Sequence, residues 1–239
     1  MKKCVILSCK LWKMILVLLV IVGVILGYVL GVFVTKNVSA KPHIFTIVID
    51  AGHGGRDAGC SGINTGVKES DINLSIAKKL QEKLEAYGFY VVMTRDGDYG
   101  LYDSDADNFK LSDMYKRVGL IKRVSADMVI SIHQNSFRDD SLHGAQVFYQ
   151  EGDDASMILA YAVQQELKNV LGDVRGEHNF SDLYLLKESN ALGVLIECGY
   201  LTNTFDEEKL QDYKYQEKVA YAILSGIIRY LVTIGVERY

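Results

Sequence analysis

Two hydrophobic rhythms alternate along the chain after residue 43. Short, almost continuously apolar runs read as strands: His43–Asp50, Phe89–Thr94, Met128–His133, Ala145–Tyr149, Leu183–Leu186 and Gly193–Glu197. Longer stretches between them read as helices. Ser70–Tyr87 places Leu74, Ala77, Leu80 and Leu84 on one face, and Ser112–Ser125 does the same with Met114, Val118, Ile121 and Val124. Asp153–Leu171 begins at a capping Asp and stops at Gly172, Gly88 stops the first helix, and Tyr213–Leu231 closes the chain. Residues 98–110, DYGLYDSDADNFK, read as a surface loop. Strands that are apolar throughout are buried on both faces, so the pattern predicts an α/β layered domain with its sheet covered on both sides.

A third pattern precedes these. Met14–Val34 is uncharged and almost wholly apolar, and it follows Lys2, Lys3, Lys10 and Lys13. At about 1.5 Å per residue such a helix crosses a hydrocarbon core of about 30 Å, and the lysines keep its N-terminus in the cytoplasm. The remainder is therefore expected outside the cell membrane. The apolar run is longer than a signal-peptide core, yet Val38-Ser39-Ala40 forms a small-residue cleavage site. Residues 1–40 are thus expected to be a membrane anchor, holding the membrane through residues 14–34, or a cleaved signal. Gly23, Gly27 and Gly31 share one face at small-xxx-small spacing, which reads as the ordinary glycine content of such segments.

Charge and cysteine content narrow the partners. Five of the 26 basic residues and none of the 30 acidic ones fall in 1–40, which leaves residues 41–239 at net −9. A domain this acidic has no electrostatic footprint for nucleic acid. Cys4 and Cys9 precede the apolar segment and only Cys60 and Cys198 are exported, so no disulfide framework is expected. Residues 41–239 suffice for one domain and leave no repeat or spare stretch for a wall-gripping module.

Candidate chemistry gathers where strands end. His53 follows TIVIDAG, His133 ends MVISIH, and Glu197 ends GVLIE. Ligands of open α/β sheets sit outside the carboxyl ends of the strands, so three strands deliver metal-capable or acid–base side chains to one edge. A phosphate-binding reading of the glycine-rich loop fails. Cys60 stands where a P-loop needs Lys, and Asp57 where a dinucleotide fingerprint needs its third Gly. Catalytic zinc takes three protein ligands and leaves one position open. His53 and His133 supply two, and Asp50, Asp57, Glu69 and Glu197 are candidates for the third. The flanking glycines would let metal and substrate approach His53 closely.

These stretches carry a resemblance. IDAGHGGRDAG, KESDINLSIAKKL, VVMTRDGD, RVGLIKRVSADMVISIHQNS, HGAQVFY, DLYLLKES and GVLIECGYLTNTFDEEKL follow one another in the order found in the zinc-dependent N-acetylmuramoyl-L-alanine amidases of the Amidase_3 type. The resemblance runs from about Thr46 to Leu231. It implies an α/β fold with a mixed, mostly parallel sheet of about six strands. It also implies zinc on His53, Glu69 and His133, with Glu197 as the catalytic glutamate. Cys60, Ala191-Leu192, Tyr200 and Thr204 depart from the family's usual residues, and none is a ligand. The expected substrate is peptidoglycan, cut between the lactyl group of muramic acid and L-alanine of the stem peptide. One apolar segment plus one catalytic domain resembles the sporulation amidases that lead to cortex muramic-δ-lactam. An extracytoplasmic place follows, such as the forespore intermembrane space. With no spare module to grip glycan and a net charge of −9 that gives no attraction to anionic envelope polymers, reliance on an exported partner protein or on the anchor is expected. The rival readings are another zinc exopeptidase of the cell envelope and a non-catalytic wall-binding module.

The remaining polar residues have plainer readings. His43, His143 and His178 read as structural or solvated. Arg95 and Arg117 read as ion-pair partners or substrate contacts, and Asn135, two beyond His133, as a turn residue or a substrate contact. Cys60 and Cys198 read as small hydrophobes.

Overall fold

The computed structural model describes residues 12–27, 45–172, 174–175, 179–181 and 183–236. Residues 12–27 form a helix, α1. The rest of the expected membrane span, 28–34, and the cleavage site at 38–40 lie outside the described residues. Among the described residues no helix is long and apolar enough to cross a membrane.

The second unit of the chain, Ile44–Tyr239, holds every other element. In chain order these are β1 (Thr46–Ala51), α2 (Glu69–Tyr87), β2 (Tyr90–Met93), α3 (Phe109–Arg123), β3 (Met128–Asn135), β4 (Gln146–Gln150), α4 (Asp154–Leu171), β5 (Asn179–Ser181), α5 (Tyr184–Ser189), β6 (Leu192–Tyr200), α6 (Thr204–Gln211) and α7 (Tyr213–Thr233). The strands make one six-stranded sheet in the order β2-β1-β3-β6-β4-β5. The block β2-β1-β3-β6 is parallel, β4 runs antiparallel to β6, and β5 is parallel to β4. The sheet is mixed and mostly parallel, as expected.

Alternation along the strands divides the core in two. Ile47, Ile49 and Ala51 of β1, Ile130 and Ile132 of β3, and Ile196 and Cys198 of β6 face α2, α4 and α7, with Ile76, Leu80, Leu159, Val163, Ile223 and Ile227 opposite them. Val48 and Val129 face the other way, against Val118 and Ile121 of α3 and Leu185 and Leu186 of α5. Each such side chain removed from water contributes about 1.5–3 kcal/mol. The buried face of α2 is Ile72, Ile76, Ala77, Leu80 and Leu84, with Leu74 at its margin. Asp153 caps α4 by accepting the Ser156 amide, and Gly88 and Gly172 end α2 and α4 at φ 103° and 78°.

One predicted strand is a helix. Leu183–Leu186 is a four-residue apolar run, a length at which strand and buried helix cannot be told apart by periodicity. It belongs to α5, with Asn190 left-handed at φ 55° closing the turn. The short β5 and the polar α6 carry no apolar period and were not expected. Asn203 caps α6 with its side chain on the amides of Phe205 and Asp206.

Candidate metal centre

The carboxyl ends of β1, β3 and β6 meet on the sheet face that carries α3 and α5. Residues two apart on a strand share a face. The parallel register sets Asp50 beside Ser131, Ser131 beside Leu195 and His133 beside Glu197. His53 leaves the end of β1, and Glu69 opens α2. Neither Glu69 nor Lys68 makes a side-chain cap here. Instead the amides of Glu69 and Ser70 donate to the carbonyls of Cys60 and Ala58, which frees the Glu69 carboxylate to turn inward.

His53, Glu69 and His133 each present a ligand atom, all within 4.8 Å of one another. Glu69 Oε1 lies 2.9 Å from Nδ1 of His133 and 3.2 Å from Nε2 of His53. The carboxylate is held by the Cys60 amide at 2.9 Å on Oε2, and by the Gln134 amide and Asn73 Nδ2, each at 3.2 Å, on Oε1. Burial alone would push Glu69 up. The hydrogen bonds and charges of His133 and His53 outweigh it and hold the carboxyl far below the usual carboxylate range. Burial likewise opposes charge on His53, but Glu69 and Asp57 on either side of its ring raise it to about 9. The two imidazoles thus converge on one carboxylate oxygen, as the ligands of a single cation do.

Asp57 is the second partner of His53. Its Oδ2 lies 2.8 Å from Nδ1, leaving Nε2 directed at Glu69, and Lys110 Nζ lies 3.0 Å from its other oxygen. A carboxylate on the outer nitrogen of a ligating imidazole fixes the tautomer and ring orientation. Two imidazoles and one carboxylate, with the outer nitrogen of one ring occupied, fit the donor set of a catalytic zinc site. Glu197 adds an unspent group: its Oε2 is buried with no hydrogen-bond partner, and burial pushes the carboxyl up to about 7. A divalent cation beside it opposes that push.

The glycine-rich loop has a steric and conformational purpose. His53 itself is left-handed at φ 62°, and Gly54 and Gly55 follow at 125° and 61°. A non-glycine residue held there carries about 1–3 kcal/mol of strain. Gly52 answers a different need, because a Cβ at that position would overlap the His133 ring. At Gly59 it would overlap the Glu69 carboxylate and lie 2.8 Å from the His53 ring. The glycines thus make room for the three candidate ligands themselves.

Two arginines hold this strained turn. Arg117 is 1% exposed and donates to the carbonyls of Ala51 (3.0 Å) and His53 (2.8 Å), while pairing with Asp50 and Asp113 at 2.6 Å each. Arg95, also 1% exposed, donates to the carbonyls of Ala51 (2.8 Å), Gly52 (3.0 Å), Ser70 (2.7 Å) and Gly97 (3.0 Å). Arg95, read from the sequence as an ion-pair partner or a substrate contact, is thus enclosed, with its guanidinium on four backbone carbonyls. Asp50, one candidate third ligand, instead accepts from Arg117, Thr94 and Ser131. Burial raises its pKa, but Arg117 and His133 dominate and lower it to about 2. Asn135 is half-buried, and its side-chain oxygen accepts the Ser136 amide. His143 is exposed, while His43 and His178 lie outside the described residues. Beside the cluster a cleft of about 300 Å³ runs between Lys110 and Met114 of α3 and Leu183, Tyr184 and Leu185.

Residues 47–229 match the model of the N-acetylmuramoyl-L-alanine amidase family, Amidase_3. The chain belongs to this family. It is 33% identical to the germination-specific N-acetylmuramoyl-L-alanine amidase of Bacillus subtilis over 225 residues, 88% of this chain and 94% of that one. Among solved structures, it is 39% identical to the CwlD amidase of Clostridioides difficile, determined in complex with the GerS lipoprotein. That match covers 79% of this chain and 98% of the other with a TM-score of 0.76. A second N-acetylmuramoyl-L-alanine amidase from Clostridium difficile 630 is 34% identical with a TM-score of 0.71, covering 80% and 98%. The amidase family thus accounts for the order of motifs from β1 to α7.

Sequence reasoning did not assign the bond from Asp57 to His53, the bracing by Arg95 and Arg117, or the close packing at Gly52. The glycines and buried-strand Asp50 were visible, but which ring each glycine meets depends on β1–β3 register, which a linear pattern does not carry.

Proposed function

We propose that this chain is a zinc-dependent N-acetylmuramoyl-L-alanine amidase that hydrolyses the amide between the lactyl carboxyl of muramic acid and L-alanine of the peptidoglycan stem peptide. The observation that carries the reading is the His53–Glu69–His133 cluster beside the buried, unpartnered carboxylate of Glu197. Zinc held by His53, Glu69 and His133 supplies a Lewis acid that acidifies water and polarises an amide carbonyl. Glu197 takes the proton of the attacking water. It then returns that proton to the departing L-alanine nitrogen, so that one carboxyl serves as base and acid in turn. Asp57 keeps Nε2 of His53 turned inward, and Arg117 fixes the turn on which His53 stands.

The biological setting follows from the relatives. A germination-specific relative in Bacillus subtilis and the single apolar segment before one domain support action on the spore cortex. Outside the cell membrane, residues 1–40 serve as anchor or as cleaved signal. The Clostridioides difficile amidase was determined with a lipoprotein bound, which supports an exported partner for this chain too.

The test is digestion of purified peptidoglycan by the zinc-loaded protein, read by mass spectrometry. Release of stem peptides beginning with free L-alanine is the expected result. Release of amino acids from free peptides, with muropeptides left intact, would replace the reading with an exopeptidase.

A further inference from the structure

Arg175 differs from the two bracing arginines. Its backbone is fixed: its amide donates to the Ala145 carbonyl at 3.1 Å, and its carbonyl accepts from Gln164 Nε2 at 3.2 Å. Its side chain is half-buried, and Nε is buried with no hydrogen-bond partner. No carboxylate among the described residues pairs with it. Where Arg95 and Arg117 spend their N–H groups on the fold, Arg175 keeps a desolvated donor unspent. A buried donor left unsatisfied costs free energy, so a site that keeps one calls for a ligand.

The position of Arg175 says which ligand. Val174 bridges Ala145 at the start of β4, and the next residue, Gln146, is the register partner of Glu197. Arg175 therefore stands beside the carboxyl end of β6, about two strand spacings, or about 10 Å, from Glu197. A bulge on β6 aims it. His133 pairs with Glu197, but Asn135 pairs with Tyr200, so β6 carries one extra residue. That extra residue returns Tyr200 to the face of the sheet that carries His133 and Glu197. The Arg175 guanidinium lies over the Tyr200 ring, 5.7 Å from its centroid.

We infer that Arg175 is a substrate-binding residue that takes the free carboxylate of the second stem-peptide residue, two positions along the chain from the lactyl group. The inference rests on the amidase reading. An extended peptide advances about 3.4 Å per residue, so two residues leaving the scissile amide at Glu197 span most of the distance of about 10 Å between the backbones of Glu197 and Arg175, and the Arg175 side chain bridges the rest. Arginine presents a planar fork that suits a carboxylate, and the Tyr200 side chain lies beside that fork. In a domain of net −9, an anionic peptide needs a local cation of this kind.

The test compares two soluble substrates that differ in one group: N-acetylmuramoyl-L-alanyl-D-glutamate and N-acetylmuramoyl-L-alanyl-D-isoglutamine, which carries an amide in place of that carboxylate. The full-length, zinc-loaded protein is assayed on both, alongside Arg175→Gln and Arg175→Lys, with released dipeptide read by mass spectrometry. The wild type should favour the carboxylate by about 10- to 100-fold in kcat/KM, mostly through KM, as befits a charge-assisted hydrogen bond. Arg175→Gln should abolish that preference while keeping zinc content and turnover on the amide substrate, and Arg175→Lys should restore part of it. Equal rates on both substrates in the wild type would overturn the inference while leaving the amidase reading intact. So would an equal loss on both in Arg175→Gln, which marks a structural role. Cleavage of neither substrate by the wild type would sink the amidase reading, and this inference with it.

Discussion

Gly52→Ala isolates the packing of the site from its chemistry. Gly52 lies at the end of β1, its amide donating to the Ile132 carbonyl at 3.1 Å, and it is not left-handed, so alanine meets no backbone penalty there. The added methyl would instead overlap Cε1, Nε2 and Cδ2 of His133. Overpacking of this kind costs about 1–3 kcal/mol when neighbours must shift. The flanking backbone is pinned, because the Gly52 carbonyl accepts from Arg95 and from Asn73 and the Ala51 carbonyl from both arginines. The His133 side chain is about one-fifth exposed and is the part able to yield. Its rotation removes one of the three proposed zinc ligands and moves a ring that lies 4.9 Å, centroid to centroid, from His53. A displacement of about 1 Å at such a site costs about 10²-fold in rate. We expect a folded protein, a midpoint lowered by no more than the overpacking cost, little bound zinc by elemental analysis and at least that loss of turnover. Gly119→Ala is the control, since nothing lies within 4 Å of a Cβ there and alanine in a helix interior stabilises by about 0.5–1 kcal/mol. Full zinc occupancy with near-normal turnover in Gly52→Ala would refute the packing argument.

Four further outcomes follow from the same geometry. Glu197→Gln should keep its zinc and its melting temperature but lose about 10²–10⁴-fold in kcat, and activity within a few-fold of wild type would place the base elsewhere. Asp57→Asn should weaken zinc binding by about 10- to 100-fold in a chelator competition, since the amide no longer fixes the His53 tautomer; an unchanged affinity would mean Asp57 only meets Lys110. Arg117→Met should cost about 3–5 kcal/mol in denaturant titration, because Asp50 and Asp113 would be left without their partner. The depressed pKa of Asp50, about 2 in the fold against an ordinary 3.8, stabilises the protein above the ordinary value. That share is lost as pH falls from about 4 toward 2, so Asp50→Asn should flatten this part of the acid limb.

How much of this was legible depends on the length over which each signal acts. The long periods of α2, α4 and α7 and the buried runs of β1, β3 and β6 are local patterns backed by many residues, and they were readable within a few positions. The tip residues His53, His133 and Glu197 could be placed because each ends a strand whose direction is set by the parallel layout. Leu183–Leu186 was misread because four apolar residues satisfy either geometry. β5 was missed because it is only three residues long, and α6 because its one local signal is the cap Asn203, with no apolar period behind it. Asp50, Asp57, Glu69 and Glu197 were all candidates for the third ligand in the residues alone, with only the place of Glu69 at the start of a helix on the same sheet edge to set it apart. Arg95 shows the same limit from the other side: nothing in VVMTRDGD distinguishes an arginine buried on four carbonyls from one reaching outward.

The arginines also explain how a strained histidine can be a reliable ligand. A left-handed His53 would relax if its turn were free, and relaxation would swing Nε2 away from Glu69. The carbonyls of residues 51, 52 and 53 each accept from a guanidinium, that of Ala51 from both. Relaxing the turn would leave buried cationic donors unmet, each worth more than the strain it prevents. The Asp50–Arg117–Asp113 chain is in turn fixed on β1 and α3, so the ligand geometry is tied to the packing of the helix on the sheet. The turn that carries His53 is therefore held by the fold itself. Among the charged side chains of the described residues, Glu197 and Arg175 keep buried atoms without a partner, at the two places where the proposed reaction needs a proton acceptor and an anchor for the peptide.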